Sequence, residues 1–232
     1  INKQWKKVIQ SYAAAISFSD AMIGRLIDKI KKSSYADNTV IVLWSDHGMH
    51  MGEKENIEKF TLWERSTRVP LILSFPKVIQ PGSRCNQPVS LMDIYPTLVE
   101  LTGYEKPDHL DGKSLVPQIE DPSLLTSPVI SSYQFSWTEK PYAAHAVRSI
   151  NHRYIYYPDI GLEELYDHQI DPNEWFNVAY KPENKKIIEN HRMLLLEMLP
   201  ELTWNKQIPE GYIIDNKGNI NVLNYSELSV LN

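Results

Sequence analysis

The first part of the chain carries apolar residues at the spacing of an amphipathic helix. From Gln4 to Lys32 they recur every three or four positions and fall largely on one face: Ile9, Ala13, Ile16, Ile23, Leu26, Ile27 and Ile30. Lys31 and Lys32 close the pattern, and cations suit the negative end of a helix dipole. The sequence therefore predicts a long helix here.

A continuous apolar run, Val40 to Leu43, follows the helix and is too short to be another one. Its β-branched residues predict a strand buried on both faces, as in the middle of a parallel sheet. The chain then changes to Asp46, His47 and Gly48, and ligands of α/β sheets bind beyond the carboxyl ends of strands. This carboxylate and imidazole could hold a metal ion; alternatively Asp46 caps a turn and His47 packs against it.

Further elements follow in the same pattern of apolar runs and turn residues. A strand over Arg68–Phe75 and a helix over Ser90–Thr102, closed by Gly103, complete a first domain, 1–125. The second domain, 126–232, has close-spaced apolar runs that predict an antiparallel meander: Val129–Phe135, Ala146–Ile150, Arg153–Tyr157 and Glu164–Tyr166. A helix over Pro182–Leu199 is expected to turn these residues toward the sheet: Ile187, Ile188, His191, Leu194, Leu195 and Met198. Asp215–Gly218 is a predicted hairpin turn.

Composition and charge exclude several classes of protein. The apolar fraction of 42% supplies a core, so disorder is not expected. A net charge of −5, with only short basic runs such as Lys29–Lys32, argues against a nucleic-acid partner. No apolar run reaches the ~20 residues of a membrane span. Cys85 is the one cysteine, so the chain cannot form an internal disulfide. The sequence starts at Ile1 without an initiator Met or a signal peptide, which predicts a processed product or a fragment.

Several motifs in order resemble the C-terminal half of type I sulfatases, members of the alkaline-phosphatase-like superfamily. They span about residues 5 to 200 and comprise Ser45–Lys54, Lys59–Glu64, Arg68–Ile72, Val89–Leu98, Leu110–Leu115 and Glu164–Asn177. Asp46-His47, with His145-Ala-Val-Arg148, is most similar to the iduronate-2-sulfatase-like branch. The resemblance implies an α/β fold: part of the sulfatase sandwich, then a small α+β subdomain with an antiparallel sheet and one helix.

The resemblance also implies roles for particular side chains. Asp46 and His47 would be ligands of a divalent cation, usually calcium, with zinc a minor alternative; His47 could instead hydrogen-bond the substrate sulfate. Lys59 would reach the sulfate oxygens and stabilise the negative charge that develops there. Lys54 competes for this role, but the spacing Lys-x-Thr-x-x-Glu favours Lys59.

Other positions are weaker candidates for the substrate pocket. His50 follows the metal pair by three residues and is expected to line the pocket. His145 and Arg148 could contact a sugar carboxylate or sulfate, since arginine suits planar anions. Glu64 and Arg68 are interpreted as a structural pair. Residues expected to fix turns in the C-terminal sheet are Tyr166, Asp167 and Asp171.

The family's nucleophile is missing from these residues. Sulfatases use a formylglycine made within Cys/Ser-x-Pro/Ala-x-Arg, and neither Cys85 nor any serine stands in that pattern. The paired aspartates that complete the family's metal site are missing too. The expected partners are therefore the N-terminal half of a sulfatase and a sulfated carbohydrate, in a periplasmic, secreted or lysosomal-type compartment. Alone, the chain is expected to be inactive, to bind calcium weakly and to aggregate or dimerise through an open apolar edge.

Two other functions remain open at this point. A phosphatase or phosphodiesterase of the same superfamily would usually bring extra histidine and aspartate ligands for two zinc ions, which the stretch after Glu53 does not resemble. A non-catalytic binding module of the same fold is the third reading. The residues upstream of Ile1 would distinguish the three.

Overall fold

The computed structural model describes residues 2–135, 142–202, 212–214 and 220–222. The chain forms two compact units, and each combines segments distant in sequence. The first unit comprises Ile1–Asp46 and Val69–Arg84, and the second comprises His47–Arg68 and Cys85–Asn232. The predicted boundary near residue 125 stays a prediction, because this division follows contacts rather than chain order.

The first unit consists of one long helix and a two-stranded sheet. Helix α1 runs over Asn2–Lys31, which confirms the predicted helix. Strands β1 (Ile41–Trp44) and β2 (Leu71–Ser74) pair antiparallel, with Ile41 opposite Ser74. The expected parallel strand covered on both faces is therefore not found in the described residues. A short apolar run does not encode the direction of its partner, and β1 is only half-buried.

The second unit is built on a four-stranded antiparallel sheet, as predicted. In the order β3-β4-β5-β6, its strands are Val129–Phe135, Tyr142–Arg148, His152–Tyr157 and Leu162–Asp167. Helix α5 (Lys185–Met198) packs on this sheet. The two together enclose one core: Val147, Tyr154, Tyr156, Leu165, Ala179, Ile188 and Leu195. Met198 was expected in this core but is 61% exposed, because it lies in the last turn of α5.

Shorter elements complete the second unit. They are α2 (Glu64–Thr67), α3 (Ile94–Leu101), α4 (Val116–Glu120), β7 (Tyr212–Ile214) and β8 (Ile220–Val222). Asp93 organises the turn before α3, because its carboxylate accepts the N–H groups of Ser90 and Lys113, each at 2.8 Å. The turn predicted at Asp215–Gly218 lies outside the described residues, although β7 and β8 pair antiparallel. Among the described helices, none has the length and apolar character needed to cross a membrane.

Candidate active site

The residues predicted to carry the chemistry lie mainly on one segment, 47–68, here called the site segment. Its second residue, Gly48, donates its N–H to the carbonyl of Ser66 at 2.8 Å. A Cβ on Gly48 would overlap the backbone carbonyl of Arg65. Gly48 is therefore required by close approach of two backbone stretches, and its φ is not among the positive values of the chain.

Backbone hydrogen bonds close the site segment into a compact loop. The N–H of His50 donates to the carbonyl of Glu58, and that of Gly52 to the carbonyl of Asn56, both at 2.9 Å. Gly52 adopts φ 118°, a conformation open to glycine. Because the two limbs of the loop lie side by side, Lys59 returns close to the start of the segment.

Lys59 and His47 meet in the structure, twelve positions apart in sequence. The Lys59 Nζ lies 2.8 Å from His47 Nε2, and both side chains are half-buried. His47 Nδ1 lies 2.8 Å from the carbonyl of Gly48. An ammonium only donates and a carbonyl only accepts, so these partners assign the neutral His47 tautomer with its proton on Nδ1. The geometry thus presents a cation beside an oriented imidazole.

The expected calcium ion suits Asp46 better than His47. Asp46 is exposed at the carboxyl end of β1, and its carboxylate is the hard oxygen donor that calcium prefers. His47 has both ring nitrogens engaged, by Lys59 and by Gly48. The residues present therefore fit Asp46 as a metal ligand, whereas the two predicted roles of His47, at the metal or on the substrate sulfate, stay predictions.

His50 is enclosed rather than exposed to a pocket. It is 0% exposed, its Nε2 lies 2.8 Å from Thr61 Oγ1, and its ring meets Trp63 edge to face. Burial lowers the pKa of His50, which keeps the ring neutral. Its Nδ1 has no hydrogen-bond partner among the described residues. This geometry gives no support to the predicted contact of His50 with substrate, and His50 instead supports the site segment from within.

Lys54 also points into protein. Its Nζ donates to the Tyr166 hydroxyl at 2.9 Å and to the Glu174 carbonyl at 2.6 Å, and it lies over the rings of Trp63 and Tyr166. Burial lowers the pKa of Lys54, an effect that Glu164 and Glu174 oppose. These contacts favour Lys59 over Lys54 as the residue that meets substrate.

His145 and Arg148 are not brought to the His47–Lys59 pair by any described contact. His145 Nδ1 lies 2.8 Å from Ser132 Oγ on the neighbouring strand. Arg148 lies three positions further along β4. Its side chain projects from the opposite face of the sheet, because strand side chains alternate. Its guanidinium faces Glu64 at 3.2 Å and His168 at 2.8 Å. Their roles in substrate binding stay predictions, and a single ligand group could not touch both.

A buried ion network joins the site segment to the C-terminal sheet. Arg153 donates to Glu174 at 2.8 Å and to Glu64, while His168 Nε2 lies 2.8 Å from Glu174. Although burial alone would raise it, Arg153 and Arg148 lower the pKa of Glu64 to about 2. Glu64 therefore pairs with these arginines, and the expected Glu64–Arg68 pair was wrong.

The same network contains a trio that has ligand atoms close enough for a metal: Glu64, His168 and Glu174. Arg153, whose side chain is 3% exposed, pairs with both carboxylates, and Arg148 pairs with Glu64, so two arginines balance the two negative charges. A second positive ion would add repulsion there, so the trio is an ion-pair network. Sequence reasoning missed its members Arg153, His168 and Glu174. His168 and Glu174 carried a signal, as parts of the Glu164–Asn177 motif.

Comparison with known proteins agrees with the motifs. The family model described as Sulfatase matches residues 2–104. A protein named Sulfatase from Formosa agariphila is 39% identical over 94% of this chain, and an N-acetylglucosamine-6-O-sulfatase from Bacteroides thetaiotaomicron is 32% identical over 85%. This chain spans 42% and 36% of their lengths.

Solved structures show the same likeness. A protein in complex with its substrate D-glucosamine-2-N,6-O-disulfate matches with a TM-score of 0.67 and 30% identity, over 79% of this chain and 38% of that one. The putative sulfatase yidJ from Bacteroides fragilis matches with a TM-score of 0.71 and 27% identity, over 84% of this chain and 43% of that one. With the ordered motifs of the site segment and the C-terminal sheet, these matches show that the chain belongs to the sulfatase family.

Proposed function

We propose that this chain contributes the sulfate-binding part of an enzyme that hydrolyses sulfate esters of a glycan. The observation that carries the proposal is the 2.8 Å contact between Lys59 Nζ and His47 Nε2. A half-buried ammonium that is oriented by a neighbouring imidazole is a fixed hydrogen-bond donor for an anion. Family membership supplies the reaction class, sulfuric ester hydrolysis.

The pair suits the charge that this reaction develops. As the S–O bond breaks, negative charge builds on the leaving oxygen and on the sulfuryl group. A preorganised cation in a water-poor site stabilises that charge without reorganising. An ammonium has three N–H donors, and Lys59 gives one to His47, so its others can reach sulfate oxygens. His47, whose Nε2 accepts one of these N–H groups, then orients the Lys59 ammonium toward the sulfate.

The remaining parts of the site are proposed from family membership and from the chemistry of Asp46. Asp46 would hold a divalent cation, calcium by its preference for oxygen donors, and the bound ion would supply positive charge to orient the sulfate group. One carboxylate falls short of the six to eight ligands that calcium takes, so the others would come from outside these residues. The formylglycine nucleophile would come from there as well, in the N-terminal half of the enzyme.

A sulfated carbohydrate is the proposed substrate class. One relative is named for N-acetylglucosamine-6-sulfate chemistry, and one solved neighbour is in complex with D-glucosamine-2-N,6-O-disulfate. Asp46 followed by His47, and His145 with Arg148, are the features that favour an iduronate-like substrate within this class. Degradation of such glycans would place the enzyme in a periplasmic, secreted or lysosomal-type compartment.

The test is Lys59→Ala in the full-length protein, with sulfate release measured from an aryl sulfate and from a panel of sulfated sugars. Loss of one charge-stabilising donor is expected to lower kcat by ~100-fold or more. Lys106→Ala is the matched control, because Lys106 is an exposed lysine of the same unit that contacts only a backbone carbonyl, of Gly112. Full turnover by Lys59→Ala would refute the proposal. Faster turnover of the matching phosphate ester would favour a phosphatase, and no turnover of either ester by the wild type would favour a binding module.

A further inference from the structure

Lys54 is an unusual residue for a loop next to a candidate active site. It is a lysine whose ammonium is held between a hydroxyl and a carbonyl, at 2.9 Å from Tyr166 Oη and 2.6 Å from the Glu174 oxygen. Its Nζ also lies 4.4 Å from the centre of the Trp63 ring, at cation–π distance. All of these partners except Trp63 belong to the C-terminal sheet or the loop after it. Lys54 therefore ties the site segment to a different part of the second unit.

The backbone at this point is strained. Lys54 has φ 55° and ψ 32°, and the following residue, Glu55, has φ 59°. Two successive non-glycine residues in the left-handed region persist only where surrounding contacts hold them. Glycine would relieve the strain at Lys54, but it would remove the side chain that makes these contacts. The strain and the contacts of Lys54 thus belong to one arrangement.

Glu174 provides a second tie, on the other side of Lys59. It is 1% exposed and itself has φ 60°. Its Oε2 accepts the backbone N–H of Glu64 at 2.7 Å, at the start of α2, while its own carbonyl accepts from Lys54. Lys59 lies between Lys54 and Glu64 in sequence, so one residue of the C-terminal motif holds the chain on both sides of it.

We propose that Lys54 is a positioning residue: by fixing the site segment to Glu174 and Tyr166, it sets the place where Lys59 meets the sulfate. The inference rests on the proposed role of Lys59 in sulfate binding. Lys54 acts through Lys59 and touches no substrate atom. The C-terminal sheet thereby helps to determine the geometry of the site.

The experiment is a double-mutant cycle in the full-length protein, with kcat and KM measured for sulfate ester hydrolysis. Lys54→Met removes the charge at similar length and is expected to lower kcat about tenfold, because small misplacement of a catalytic group lowers the rate steeply. Lys59→Ala should lower kcat ~100-fold or more. In the double variant, Lys54→Met should cost nothing further, since its effect passes through a side chain that is gone. Tyr166→Phe keeps the ring, removes one acceptor and should give a smaller loss of the same kind.

The outcomes separate the two proposals. Lys106→Met is the matched control and should leave kcat unchanged, and near-ultraviolet circular dichroism identifies variants that fail to fold. If Lys54→Met fails to fold, the same cycle is run with Tyr166→Phe. The inference is overturned if the variant keeps kcat within twofold, or if its loss persists undiminished beside Lys59→Ala. If Lys59→Ala itself loses nothing, the proposed function falls first; if Lys59→Ala loses activity and Lys54→Met does not, only the positioning role falls.

Discussion

The two units of the chain differ sharply in how far their apolar side chains are buried. In the described parts of the first unit for which exposure is known, 4–46 and 69–84, no residue is buried. Its helix α1 leaves Ile16 54% exposed, and Trp44 at the end of β1 is 52% exposed. In the second unit, Leu195 and Tyr154 are 0% exposed in a shared core.

The difference shows that the second unit carries its own stabilising core, whereas the first unit does not. Hydrophobic stabilisation scales with apolar area removed from water, and α1 removes little. An amphipathic helix of this length gains most of its stability from packing rather than from intrinsic propensity. A partner surface is therefore expected over the first unit, supplied by the rest of a sulfatase or by a second copy of the chain.

The largest expected effect concerns activity with and without such a partner. The chain expressed alone should hydrolyse no sulfate ester, while co-expression with an N-terminal half that carries the formylglycine motif should restore turnover. Sulfate release from both preparations is the measurement, with Lys59→Ala in the mixture as the control. Turnover by the pure isolated chain would break the comparison, because the exposed first unit would then need no partner.

Next in size is the loss from Asp46→Ala in the complete enzyme. Asp46 lies just after β1 in the first unit. Its replacement by alanine would take a hard anionic ligand from the proposed metal. Turnover should be abolished, and metal content per protein, measured with kinetics on the same sample, should fall. A variant that keeps both its metal and its rate would exclude Asp46 as a ligand.

Truncation of an apolar side chain should lower the free energy of unfolding much more in the second unit than in the first. Leu195→Ala in the second unit is expected to cost about 2–5 kcal/mol, the range for a buried leucine. Ile16→Ala in the isolated chain should change stability by less than about 0.5 kcal/mol, since it lies on an exposed face. Urea unfolding followed by circular dichroism gives both values. If the Ile16 variant lost as much as the Leu195 variant, α1 would be packed in solution.

The last prediction is a dependence of stability on acid, which belongs to the second unit and appears only at low pH. The pKa of Glu64 falls from an ordinary value of 4.5 to about 2. Its ionised form therefore stabilises the fold fully above pH 4.5, and this contribution, about 3 kcal/mol, is lost as pH falls toward 2. Glu64→Gln is the control, because it cannot titrate there. The gap in unfolding free energy between wild type and variant should narrow across this window, and a constant gap would contradict the assignment.

Sequence alone determined the elements whose signal is local. The strands β3 to β6 follow from short apolar runs broken by turn residues, and α1 follows from its 3.6-residue period. The order of several motifs indicated the family, and the spacing Lys-x-Thr-x-x-Glu selected Lys59 over Lys54. These inferences need only residues that lie near one another in the chain.

Tertiary structure decided everything that depends on residues far apart in the chain. The antiparallel pairing of β1 with β2 joins segments separated by the whole site segment. Glu64 pairs with Arg148 and Arg153, more than 80 positions away, instead of with nearby Arg68. Sequence spacing does not predict which two charged side chains will be buried together as an ion pair. The packing of the sheet against the site segment decides that pairing. For the same reason, only the fold could enclose His50, bury the Lys54 ammonium and leave the Lys59 ammonium beside His47.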